Sequence, residues 1–101
     1  MKTVYKDSYG NKYTSIKEKN KALRLIAETK KHNLFKVNDY VSFDTDDERY
    51  VGKIKKIQYK IDKVETLFGL ELFCKVVCII PHAALTLKID SKQLTKVNFY
   101  E

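Results

Sequence analysis

Four cations, Lys17, Lys21, Arg24 and Lys31, recur at spacings of four, three and seven residues. On a helix those positions fall along one flank, interrupted only by Glu28. Cationic groups strung along roughly 20 Å of helix can pair with successive phosphates of a duplex or of folded RNA. A second set, Lys53, Lys55 and Lys56, lies among Tyr40, Tyr50 and Tyr59. Rings beside cations could stack bases or cage a cation, so these tyrosines are a candidate aromatic platform. Neither Arg nor Asn/Gln is clustered as direct base readout requires, so the expected binding is mostly non-specific. The same residues have a plainer reading: the lysines as the solvated flank of a packed helix, the tyrosines as ordinary strand formers.

Other reactive side chains do not assemble into sites. Asp44, Asp46, Asp47 and Glu48 are acidic enough to suggest calcium, but the sixth and twelfth positions counted from Asp44 are Arg49 and Lys55. An EF-hand needs a glycine and a carboxylate there, so a solvated turn is expected instead. Cys74 and Cys78 are four residues apart in a stretch that reads as a strand. Their Cα atoms would then be about 13 Å apart, too far for a disulfide, and buried free thiols are expected. His32 and His82 lack companions at ligand spacing. With no Ser-His-Asp, Cys-His, paired-carboxylate or P-loop pattern, the sequence points to a non-enzymatic protein without metal or cofactor.

The charge is unevenly spread. Residues 1–36 hold ten Lys or Arg against three acids, and residues 37–101 hold ten of each, so the net +7 belongs to the first third. Such asymmetry suggests a basic arm or helix with an anionic partner. A length of 101 residues, 44% of them hydrophobic and 33% charged, suits one globular domain with a modest core. The opening M-K-T-V-Y-K-D-S-Y lacks the apolar core of a signal peptide, and no apolar run nears the roughly 20 residues of a membrane span. A cytoplasmic protein without a membrane partner is the expectation.

The elements that would position these residues begin with an arm or short hairpin over 1–14, turning at Tyr9-Gly10-Asn11-Lys12. A basic helix over 15–34 follows, marked by the capping box of Ser15 and Glu18. Its apolar side is expected to be Ile16, Leu23, Ile26, Ala27 and Leu34. Strands are expected at Asp39 to Phe43 and from near Arg49 through Gly52 to Tyr59. Alternation in the second changes phase near Lys55-Lys56, as a β-bulge would make it do. Lone Gly52 marks a bend, a bulge or a close backbone approach. A hairpin loop over Asp62 to Gly69 leads to a doubly apolar strand, Leu70 to Ile80, whose outer face the helix or a homodimer partner would cover. Leu85, Leu87 and Ile89 alternate in the next strand, Ser91 caps one turn through Leu94, and Val97 and Phe99 close the sheet.

N-D-Y-V-S-F followed by Y-V-G-K-I-K-K-I resembles the opening strand pair of SH3-like small barrels of the KOW and Tudor type. L-T-L-K-I-D-S-K-Q-L-T-K-V is similar to their closing strands. The resemblance spans about residues 36–100 and implies an α+β fold: an N-terminal helix packed on a five-stranded SH3-like antiparallel barrel over 36–101. Barrels of this type bind RNA, DNA, methylated tails or proteins. Y-G-N-K-Y-T-S-I-K-E also looks like the entry to short DNA-binding repeats of phage and homing-nuclease proteins. The partner expected is therefore DNA, RNA or a nucleic-acid-bound protein complex. The alternative is a protein-interaction module, such as a phage or mobile-element factor that docks on a host enzyme.

Overall fold

Ser15 starts the helix by accepting a hydrogen bond from the Glu18 backbone N–H on its Oγ (3.1 Å). In the computed structural model, which describes residues 3–98, α1 then runs Ile16–His32 without a glycine or proline to break it. Its last turn carries Lys30, Lys31 and His32, cations at the negative end of the helix dipole. Eight strands complete the fold: β1 Tyr5–Lys6, β2 Lys12–Tyr13, β3 Tyr40–Asp44, β4 Arg49–Lys53, β5 Lys56–Thr66, β6 Gly69–His82, β7 Leu85–Asp90 and β8 Thr95–Lys96. They form three sheets, ordered β1-β2, β4-β3-β8 and β5-β6-β7. The chain divides into two compact units, Met1–Asn33 with Tyr59–Lys75 and Leu34–Gln58 with Val76–Glu101.

In the first unit a polar network does much of the fixing. The Asp7 carboxylate accepts from Tyr9 N–H (2.8 Å), Asn11 N–H (3.0 Å), Asn11 Nδ2 (2.9 Å) and the Tyr13 hydroxyl (2.7 Å). Burial pushes Asp7 up, but these donors outweigh it and hold the carboxyl below its usual range. Burial, and then Asp7, raise the Tyr13 phenol. Gly10, at φ +85°, lets the turn close in a conformation unfavourable to a side chain. Buried Asn11 behaves like a piece of strand: its Nδ2 donates to the Tyr59 carbonyl (2.8 Å) and its Oδ1 accepts from the Ile61 N–H (2.9 Å). Asn11 was expected only as a turn former; its side chain instead ties the β1–β2 hairpin to β5.

The helix buries Ala22 and Ile26, flanked by half-buried Glu18, Lys19, Leu25 and Thr29. Of the apolar side expected from the sequence only Ile26 is buried; Ile16, Leu23, Ala27 and Leu34 are exposed. Polar residues can occupy the buried side because their groups are satisfied there. The Thr29 hydroxyl returns to the Leu25 carbonyl (2.8 Å), and Glu18 pairs with Lys63. The expected capping box is half realised, since the Glu18 carboxylate accepts from the Thr14 N–H (3.1 Å) and hydroxyl (2.5 Å).

The second unit is organised by apolar packing. Buried Val41, Phe43, Ile54, Val76, Cys78, Ile80 and Leu94 form its core. β3 pairs antiparallel with β4, Tyr40 opposite Lys53 and Val41 opposite Gly52, and β8 adds along the other edge of β3. A Cβ on Gly52 would overlap Ile80 Cγ2, so the lone glycine marks a close approach. β6 and β7 pair from Val77 opposite Asp90 to His82 opposite Leu85. Asp90, rather than Ser91, caps the single 3₁₀ turn, its Oδ1 accepting from the Lys92 N–H (3.0 Å).

The SH3-like barrel expected over 36–101 is not present. Among the described residues there is one α-helix with small sheets of two or three strands, and none of these closes. The phase change near Lys55-Lys56 is where the chain leaves one sheet for another, not a bulge within one strand. β4 ends at Lys53, and β5 begins at Lys56 in a different sheet. The link satisfies its own backbone: Ile54 N–H donates to the Asp39 carbonyl (2.9 Å), Asn38 N–H to the Ile54 carbonyl (2.8 Å) and Lys55 N–H to the Ile79 carbonyl (2.8 Å). The hairpin loop expected at 62–69 is also shorter. β5 continues to Thr66, and a two-residue turn, Leu67-Phe68, leads to Gly69 at φ +114°. Phe99 lies outside the described residues.

Candidate nucleic-acid interface

On the first unit, Lys17, Lys21, Arg24 and Lys31 are all exposed, on the side of α1 turned away from Ala22 and Ile26. Among the described residues none of the four is in an ion pair; Glu28, which interrupts the row, lies 3.2 Å from His32, and Glu18 pairs with Lys63. The Lys63 ammonium, followed by Thr14, holds Glu18 down to about 2. This unit carries twelve Lys or Arg against six Asp or Glu, a net +6, and the other carries eight against seven, a net +1.

Two lysines that the sequence reading passed over belong with this surface. Lys6 and Lys12 stand directly opposite each other across β1 and β2, and both are exposed. Like charges so placed repel, and an anion between them relieves the repulsion. Their positions on either side of the Gly10 turn were the available signal. Lys30 is different: its Nζ sits over the rings of Tyr9 (5.0 Å) and Tyr59 (5.4 Å).

On the second unit, Lys53, Lys55 and Lys56 are exposed. Lys53 and Lys55 flank a cleft of about 250 Å³ lined also by Asn38, Ile54 and Pro81. The Lys53 Nζ lies 5.8 Å from the Tyr40 ring centre, and Tyr40 is itself exposed. The three tyrosines differ in exposure: Tyr40 is exposed, Tyr50 half-buried and Tyr59 buried. Tyr50 packs between Phe43 (6.0 Å) and His82 (4.5 Å). Tyr59 is 8% exposed, edge-on to Tyr9 in the first unit, and its hydroxyl accepts from Asn33 Nδ2 (3.1 Å).

The remaining reactive groups are quiet. Both cysteines are free, Cys78 buried and Cys74 half-buried. Burial raises the Cys74 thiol, and burial with Asp90 and Asp39 raises that of Cys78 to about 11, so neither forms a thiolate nucleophile near neutrality. Among the described residues no cluster of His, Cys, Asp or Glu could hold a metal ion, and no helix is long and apolar enough to cross a membrane. Comparison of the chain with protein-family models, with curated proteins and with solved structures finds no match.

Proposed function

We propose that this is a non-enzymatic protein that binds nucleic acid, or a nucleic-acid-handling complex, by contacting phosphates from α1. The observation that carries the reading is the exposed row Lys17, Lys21, Arg24 and Lys31, with no acid of the protein paired to it among the described residues. From Lys17 to Lys31 the row spans about 21 Å, enough to meet several phosphates. Lys6 and Lys12 extend the cationic surface of the same unit, and Lys53, Lys55 and Lys56 supply a separate set on the other. Since phosphate contacts carry no sequence information, discrimination among sequences is weak.

Fluorescence anisotropy with a short DNA duplex and an RNA hairpin tests this. Log affinity is expected to fall linearly with log salt, by about 0.9 per phosphate contact for the duplex. The triple variant Lys17→Glu, Lys21→Glu, Arg24→Glu should lose binding while its circular dichroism stays unchanged, because all three side chains are exposed. Full affinity in that variant would refute the reading. The second reading, a protein-interaction module, is favoured by the exposed carboxylates of Asp44, Asp46, Asp47 and Glu48. Capture of partners with and without nuclease separates the two.

A further inference from the structure

The hairpin joining β5 to β6 ends in two large apolar side chains where a polar turn would be ordinary, with Leu67 at 101% and Phe68 at 97% exposure. Glu65 and Glu71 flank the tip. Those carboxylates repel phosphate, so the tip is unsuited to the ligand proposed for α1. It calls for an apolar recess with a basic rim.

Such a recess exists on the same unit. A groove of about 320 Å³ between the start of α1 and the start of β6 is lined by Leu70, Leu72, Lys17, Lys21, Ser15 and Glu18. Leu70 and Leu72 make part of its lining apolar, Lys17 and Lys21 are exposed cations, and the one acid in it, Glu18, is already paired with Lys63, so the lining complements the tip in both polarity and sign. Lys63 reaches Glu18, so alternation along β5 puts Glu65 on the groove side of the hairpin, whereas Glu71, between Leu70 and Leu72 on β6, is on the other face. Leu70 and Leu72 follow Phe68 by two and four residues, about 7–13 Å along the strand. A chain cannot fold its own tip back over that distance within an extended strand. A second copy can supply the tip, and a two-fold axis beside the hairpin would seat both tips at once.

We propose that the protein self-associates by an isologous exchange, the Leu67-Phe68 tip of each copy seated in the α1–β6 groove of the other. This goes beyond the phosphate-binding reading and does not rest on it. Sedimentation of nuclease-treated full-length protein tests it. The wild-type chain should show a concentration-dependent monomer–dimer equilibrium. Leu67→Ser with Phe68→Ser should weaken it by more than about tenfold without lowering nucleic-acid affinity, since every cation remains and the partner's tip no longer covers Lys17 and Lys21. The decisive arm is a charge exchange. Lys17→Glu/Lys21→Glu and Glu65→Lys should each be monomeric alone, and an equimolar mixture should dimerise, because both half-interfaces then regain opposite charges. A wild-type chain monomeric at roughly millimolar concentration overturns the proposal. So does a dimer indifferent to the tip serines, or a mixture no more associated than its components.

Discussion

In the first unit the residues that fix the chain are polar: Asp7 gathers four donors, Asn11 stands in for a strand and Glu18 joins α1 to Lys63. In the second they are apolar, Val41, Phe43, Ile54, Cys78 and Ile80, closed over a glycine that leaves room for Ile80. The contrast matches the charge. A unit carrying +6 with a thin apolar interior gains order from directed hydrogen bonds, which specify geometry but tolerate no missing partner. The nearly neutral unit depends on volume and shape, where a misplaced methyl is the hazard.

Three measurements would break or sharpen this comparison. The largest effect is expected from Asn11→Ala. It strands the buried Tyr59 carbonyl and Ile61 N–H and removes one donor from Asp7, costing about 3 kcal/mol. Amide exchange should accelerate first at Ile61 and the β1–β2 hairpin; uniform acceleration would mean the polar network is not local to its unit. Next is Gly52→Ala, whose new methyl overlaps the stiff, fully buried Ile80 side chain and should cost about 2 kcal/mol by thermal melting. Pairing it with Ile80→Val should leave the cost unchanged, because Val retains that Cγ2 methyl, whereas Ile80→Ala should relieve the overlap. The smallest effect belongs to Glu18. Its carboxyl is depressed in the folded state from an ordinary 4.5 to about 2, so its contribution is complete above 4.5 and is lost as pH falls through 2. With Lys63 partly exposed, the loss is about 1 kcal/mol. Lys63→Met should flatten that part of the stability–pH curve, and an unchanged curve would show the pair to be idle.

Elements signalled by local chemistry were legible in the sequence. Ser15 and the glycine-free stretch after it mark α1, and alternation marks β3, the start of β4 and the inward side of β6 at Leu72, Cys74, Val76, Cys78 and Ile80. What depended on distant partners was not. The buried side of α1 was misjudged because the pairing of Glu18 with Lys63 and the return of Thr29 to Leu25 are invisible in an apolar count. The phase break at Lys53–Lys56 was visible, but a bulge and a change of sheet leave the same trace in alternation. The cations of α1 could be located as a row, because helical spacing alone sets it. Tyr59 could not be recognised as core, because Tyr9, Lys30 and Asn33 come to it from elsewhere in its unit.

The Ile54-Lys55 link has a practical consequence for anyone who wants to splice a label into this chain. Its amides and the Ile54 carbonyl are already committed to Asn38, Asp39 and Ile79, so an added residue would orphan them and shift the inward side of everything downstream. The exposed turn Thr45–Glu48 is closed by Thr45 bonding to Glu48, and a fluorophore or epitope placed between those two residues leaves the pairing of β3 with β4 intact.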